Sequence, residues 1–124
     1  MNLDKFTLKA QKAVQAAVEV AAENNHQAVS PAHILLALLS EADNVVNTIL
    51  NKVGVRLPQV KTELEQQIGK LPVVKGASVS GQYLSNSSKE LFDKAQASAD
   101  KLGDDYISSE HLLIGMLETS NEAA

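Results

Sequence analysis

Two stretches of the chain have nearly the same sequence, 78 positions apart. Residues 29–39 read VSPAHILLALL, and residues 107–117 read ISSEHLLIGML. The same offset pairs Ala17 with Ala95, and no gap is needed back to residue 6 of the first copy. An internal repeat of this kind indicates that one helical unit is duplicated. We expect the two copies to pack against each other around a pseudo-two-fold axis.

The composition favours a single domain of closely packed helices. The chain has 124 residues, enough to bury one core. Aromatic residues make up only 3% and there is no Trp, so the core must consist of Ala, Val, Ile and Leu. Such residues suit tightly packed helices better than a β-sandwich, which draws on aromatic and β-branched side chains.

The same composition excludes several classes of protein. Without cysteine the chain can form neither a disulfide framework nor a thiolate zinc site. A net charge of −4 with no run of Lys or Arg argues against nucleic acid as a main partner. No apolar stretch approaches the ~18–20 residues that span a bilayer, and the N-terminus lacks the layout of a secretory signal. We therefore expect a cytoplasmic domain with neither a nucleic-acid nor a membrane partner.

Helical spacing of apolar residues predicts four helices in the first copy. Thr7 is a plausible N-cap for the first, and Ser30 followed by Pro31 is a sharper start signal for the second. Two further apolar stripes, at residues 45–53 and 57–68, end at Gly54 and Gly69.

Only two helices are predicted in the second copy. Ser85 corresponds to Thr7 as a cap, Gly103 is a natural helix stop, and the second helix follows Ser108. We expect an all-α fold, a tandem pseudo-two-fold repeat of a four-helix unit whose second repeat is truncated. Repeat one spans about 3–70, a linker with Pro and Gly spans 71–82, and partial repeat two spans about 83–124. We therefore expect the chain to be a piece of a longer protein.

Two histidines, His33 and His111, each stand three residues after a Ser at the start of an apolar helix. A metal site would need further ligands, and neither histidine has a His or Cys in helical register. We interpret both as structural residues that bond near the helix cap and pack their rings, and we predict no metal site.

Asp104, Asp105 and Glu110 form a small acidic cluster, with the two aspartates in the loop between two predicted helices and Glu110 in the first turn of the second. Carboxylates near a helix start are stabilised by the helix dipole, whereas catalysis would also require a cleft and a nucleophile. Because motifs for phosphate loops, serine hydrolases and zinc proteases are all lacking, we expect no enzyme activity and no cofactor. Recognition of a basic or polar group on a partner is the favoured role; a helical enzyme using this cluster is the less favoured alternative.

Several longer motifs resemble the Clp N-terminal (repeat, or R) domain family. They are FTLKAQ at residues 6–11, SPAHILLALL at 30–39, LPVVKG at 71–76, YLS at 83–85 and LGDDYISSEHLL at 102–113. Within the family, the linker and the YLS motif are most similar to ClpB-type disaggregases. The resemblance covers the whole chain.

The resemblance implies a domain that stands before two AAA+ ATPase modules and has no activity of its own. In the family it captures unfolded or aggregated polypeptide and helps to pass it into the pore of a hexamer, in cooperation with an Hsp70 system. ATP and Mg²⁺ would serve modules absent from this chain. The alternative, which the residues leave open, is an adaptor-docking domain of a ClpA/ClpC-type unfoldase that works with a peptidase.

The resemblance also implies which residues handle substrate. A surface threonine and two acidic residues of ClpB-type domains match Thr7, Asp104 and Glu110 here. ClpC-type relatives carry a glutamate before the histidine of both repeats and use the pair to bind phosphoarginine; here the first position is Ala32, so we do not expect that activity. Lys94 and Ser98 replace leucines that line an apolar groove in some relatives, so we expect a shallower or displaced groove.

Overall fold

The computed structural model describes residues 3–40, 45–73 and 82–123. They form the helices and short strands α1 (Leu8–Glu23), β1 (Ala28–Val29), α2 (Pro31–Ser40), α3 (Val45–Lys52), α4 (Leu57–Gly69), β2 (Tyr83–Leu84), α5 (Asn86–Leu102) and α6 (Ser109–Ala123). The all-α prediction is confirmed, with one addition: β1 and β2 form a two-residue parallel pair. Most of the predicted linker, residues 74–81, lies outside the described residues.

The two long helices α1 and α5 begin in the same way. The Thr7 hydroxyl accepts from the Ala10 N–H at 3.2 Å, and the Ser85 hydroxyl accepts from the Ser88 N–H at 3.1 Å. Both capping residues have extended backbone angles, as N-caps do. The two predicted caps are therefore confirmed.

The same two helices also end alike. Gly103 closes α5 at φ +75, and the Asp104 N–H reaches back to the Ala99 carbonyl at 2.8 Å. Asn25 closes α1 at φ +58, and the His26 N–H reaches the Ala21 carbonyl at the same distance. A left-handed residue followed by such a six-to-one hydrogen bond is the Schellman motif. His26 and Asp104 hence occupy equivalent positions just beyond their helices.

Small side chains dominate the core that these helices share. A first cluster joins α1, α2, α5 and α6, and its fully buried members include Ala10, Ala13, Ala17, Ala21, Ala95 and Ala99. A second cluster of Leu39, Val46, Leu64 and Leu113 packs α3 and α4 against α2 and α6. Because the alanine side chain occupies little space, the helix axes can approach closely, as the composition predicts.

Backbone hydrogen bonds cross between the two halves of the chain at two junctions. In the first, the Thr7 N–H donates to the Ile107 carbonyl at 2.9 Å, and the Ile107 N–H donates to the Lys5 backbone carbonyl at 2.7 Å. In the second, the Ser85 N–H donates to the Val29 carbonyl at 3.0 Å. Thr7 and Ser85, and likewise Val29 and Ile107, are related by the 78-residue offset. This agrees with the duplicated unit; the pseudo-two-fold axis and the repeat boundaries stay predictions.

A buried pair of histidine rings supports the second junction. The Ser30 N–H donates to His33 Nδ1 at 2.9 Å, so the neutral ring carries its proton on Nε2. That nitrogen lies 3.1 Å from His26 Nδ1, which therefore accepts. The two rings are only 0% and 2% exposed. Burial, together with the neighbouring His26, lowers the pKa of His33 to about 4.

Acidification is expected to destabilise the domain through His33. In the unfolded chain this ring takes up a proton near pH 6.5, whereas in the folded chain its pKa is about 4. The unfolded state thus binds more protons as pH falls between these values, so stability is lost across that window, by up to about 3 kcal/mol. Urea denaturation from pH 7 to 4 measures the loss, and ring NMR shifts follow His33 directly.

The control for this prediction is His33→Asn. It removes the titrating ring while keeping an oxygen that can accept from the Ser30 N–H. The variant should be less stable at pH 7 but should lose less stability on acidification. The prediction would be contradicted if both proteins lost the same stability between pH 7 and pH 4. A His33 ring that titrates near pH 6.5 in the folded state would contradict it as well.

Gly115 of α6 packs directly against the backbone of α5. A Cβ atom at this position would lie 2.9 Å from both Leu91 Cδ1 and the Leu91 carbonyl oxygen, and 3.3 Å from the Ala95 nitrogen. Two of these three atoms belong to the backbone of α5, which cannot move without shifting the whole helix. Only glycine therefore fits this crossing.

Gly115→Ala is expected to reduce the free energy of unfolding by about 1–3 kcal/mol, the usual penalty for overpacking. Gly69→Ala is the matched control, because a Cβ at Gly69 would meet nothing within 4 Å. That variant should be neutral or up to about 1 kcal/mol more stable, since alanine restricts the unfolded chain. Urea denaturation of both variants decides the matter; equal stabilities would show that the crossing can relax.

Candidate functional site

The predicted site residues Thr7, Asp104 and Glu110 lie around one backbone segment centred on Ile107. Thr7 is half-buried at the start of α1 and donates its N–H to the Ile107 carbonyl. Asp104 stands three positions before Ile107, directly after the Schellman turn of α5. Glu110 stands three positions after it, in the first turn of α6. The junction between the halves thus collects residues that are about 100 positions apart in sequence.

Asp104 is the most available of the three side chains. Its carboxylate is 51% exposed, and its Oδ2 atom lies 2.9 Å from His111 Nε2. Glu110 is half-buried, and its place at a helix start stabilises its negative charge. Asp105, the third acidic residue of the predicted cluster, is exposed in the loop. The arrangement can accept hydrogen bonds from cationic or polar groups.

His111 connects the start of α6 to Asp104. The Ser108 N–H donates to His111 Nδ1 at 2.9 Å, so the neutral ring has its proton on Nε2 and donates it to Asp104. The ring is buried. The prediction that His33 and His111 bond near their caps and pack their rings is confirmed.

The connection Ser108–His111–Asp104 has the order of a catalytic triad, since the Ser108 hydroxyl also lies 2.9 Å from His111 Nδ1. In a triad that nitrogen must take the serine proton. Here its lone pair already accepts from the Ser108 backbone N–H. The same arrangement recurs at Ser30 and His33. The geometry therefore orders helix starts and gives no support to nucleophilic catalysis.

His26 is the residue that sequence reasoning missed. The 78-residue offset places it opposite Asp104, so the repeat itself carried the signal. Both residues bond the histidine seven positions later, but His26 is buried whereas Asp104 is half-exposed. Ala32 similarly stands opposite Glu110. Of the two equivalent junctions, the one at Ile107 has both acidic residues and the one at Val29 has neither.

Three exposed apolar residues stand next to the residues of this junction in sequence, or close to them. Leu8 follows Thr7 at the start of α1, Leu102 ends α5, and Tyr106 precedes Ile107; all three are largely exposed. Lys94 and Ser98, predicted to border a groove, are half-buried on α5, and Lys94 Nζ lies 3.9 Å from Glu90 Oε1. The depth of that groove stays a prediction.

In the described part of the chain, the His, Asp and Glu side chains form no group of three or more that could hold a metal ion. None of the helices in residues 3–40, 45–73 and 82–123 has the length and hydropathy of a membrane span.

The family and its relatives follow from comparison with known proteins. The model of the Clp repeat (R) N-terminal domain matches residues 5–124. A relative, the chaperone protein ClpB of Bacteroides thetaiotaomicron, is 39% identical over 117 residues, which are 94% of this chain and 13% of that protein. The chain thus spans about an eighth of the length of this curated relative.

Solved structures show the same fold at lower identity. The Hsp104 N-terminal domain from Candida albicans superposes with a TM-score of 0.84 at 19% identity, covering 95% of this chain and 77% of that one. A complex of a ClpV N-domain with a VipB peptide gives a TM-score of 0.79 at 20% identity, covering 98% and 75%. The resemblance predicted from the sequence motifs is confirmed, and the chain belongs to the Clp repeat (R) N-terminal domain family.

Proposed function

We propose that this chain is the N-terminal substrate-binding domain of an ATP-dependent, ClpB-type protein disaggregase. In this role it captures unfolded or aggregated polypeptide for threading by AAA+ modules outside the chain. The observation that carries the proposal is the similarity to ClpB over nearly the whole domain. ATP and Mg²⁺ would serve those modules, and the domain itself would perform no chemistry. The AAA+ ring, an Hsp70 system and a cytoplasmic location belong to the same proposal.

The surface around Ile107 suits such a role. Asp104 and Glu110 supply carboxylates for peptide N–H groups and cationic side chains, and Thr7 fixes the position of the neighbouring α1 start. The exposed Leu8 and Tyr106 add apolar contacts. Few polar anchors with scattered apolar area favour weak binding that tolerates many sequences.

A related fold can hold a peptide, which supports the proposal and also keeps its alternative in view. The similar ClpV N-domain was solved with a VipB peptide, a single defined partner. By analogy, this domain could dock one adaptor of a ClpA/ClpC-type unfoldase. A capture experiment separates the two: many unfolded chains are expected for a disaggregase, and one stoichiometric folded partner for adaptor docking.

Substitutions at the acidic positions are expected to weaken the binding of casein, an unfolded model protein. Asp104→Ala or Glu110→Ala removes a charged acceptor, so each should raise the dissociation constant about 3- to 10-fold. An NMR titration of the isolated domain with casein gives both the affinity and the residues that shift. Shifts should cluster at Thr7, Asp104 and Glu110.

Two controls accompany this titration. Asp93→Ala removes an exposed acid from the middle of α5 and should leave casein binding unchanged. Thr7→Ser keeps the oxygen that caps α1, so it separates the capping role from contacts of the threonine methyl group. Casein binding that survives Asp104→Ala, Glu110→Ala and Thr7→Ala alike, in folded protein, would count against this surface.

A further inference from the structure

We infer that His111 is a positioning residue for substrate capture: its Nε2–H holds one oxygen of Asp104 so that the half-exposed carboxylate is already oriented when a polypeptide arrives. This role rests on the proposed function and extends that function by giving a buried residue a part in binding at the surface. Three observations support the inference: the hydrogen bond that places the proton on the ring, the helix ends that hold both partners, and the different arrangement at the other junction.

The proton on His111 can occupy only one place in the neutral ring. Because the Ser108 N–H points at Nδ1, that nitrogen must accept, and Nε2 must donate. Among the residues that the structure describes, the acceptor is Asp104 Oδ2, at 2.9 Å. The backbone at the start of α6 therefore determines the direction of the hydrogen bond to a carboxylate seven residues earlier.

Both partners of this hydrogen bond are held by helix ends. His111 is 3% exposed in the first turns of α6, and the Asp104 N–H is bound to the Ala99 carbonyl at 2.8 Å. An exposed aspartate normally samples several rotamers and loses that freedom on binding. A rotamer restrained beforehand avoids part of this entropy loss, so the same contact yields a higher affinity.

The other junction shows that this arrangement is not required for the fold. His33 caps α2 with the same Ser30 N–H contact, yet its Nε2 atom donates to the buried ring of His26. The fold thus accepts either a ring or a carboxylate at the position after the Schellman turn. Asp104 is charged and half-exposed, whereas its counterpart His26 is buried. Of the two capping histidines, therefore, only His111 has a surface group to position.

Two substitutions of one residue test the inference. In His111→Gln, the amide nitrogen can replace Nε2 and donate to Asp104. In His111→Asn, the carbonyl oxygen can replace Nδ1 and accept from the Ser108 N–H, but nothing reaches Asp104. Both variants lose the ring. His111→Asn should weaken casein binding about 3- to 10-fold, as Asp104→Ala does, while His111→Gln should stay near the wild type. A structural role alone would affect both variants similarly.

A second comparison separates this inference from the proposed function. In an Asp104→Ala background, His111→Asn should cause no further loss of casein affinity, because the group it positions is gone. If Asp104→Ala alone leaves binding unchanged, the proposed role of Asp104 is wrong. If Asp104→Ala weakens binding but His111→Asn does not, or if the Gln and Asn variants lose affinity equally, the positioning role is wrong.

Wild-type protein provides the test that depends on no variant's folding. Nitrogen NMR of the histidine rings should show His111 protonated at Nε2 only, and its Nε2 signal should shift on casein addition together with the Asp104 carboxyl carbon. His33, with the same cap and no surface partner, is the internal control and should not shift. A His111 signal that is unmoved while Asp104 shifts would overturn the inference even if both variants fail to fold.

Discussion

The exchange of backbone hydrogen bonds between the two halves is the constraint on which the rest of the structure depends. The segment before α1 pairs with the segment before α6, and the segment before α5 pairs with the one before α2. Each pairing satisfies backbone groups at a helix start that would otherwise be buried without partners. The Ser88 hydroxyl strengthens one junction by donating to the Val29 carbonyl at 2.6 Å. These contacts tie the starts of α1, α2, α5 and α6 together in two pairs.

Features set by neighbours in sequence could be predicted, and those set by distant partners could not. Thr7, Ser85 and Gly103 act within one helical turn, so residue type alone indicated their roles. The strands β1 and β2 have two residues each and exist because they meet across the fold, which no local pattern reveals. The His26 ring depends on both a local turn and a distant helix start; only the repeat offset could have exposed it.

The candidate site shows the same division. The acidic cluster was visible in the sequence, but the connection of Thr7 to it came from family resemblance, and its proximity to Ile107 came from the fold. The 78-residue offset also lets the two junctions be compared position by position. A fold with two equivalent junctions has acids at one and neutral, buried or small residues at the other. The pairs His26 with Asp104 and Ala32 with Glu110 are thus enough to make the two junctions chemically different.

The crossed junctions have a consequence for chain connectivity. The hydrogen bonds between the halves join residues 5–7 to 107 and residues 26–29 to 82–88. The first set lies far in sequence from the predicted linker, whereas the second begins at Gln82, where that linker ends. At the first junction, covalent continuity therefore contributes mainly a high local concentration of one half near the other. In this respect the domain resembles two different subunits joined by a covalent linker. We expect a cut between the predicted repeats to change the order of assembly more than the final architecture.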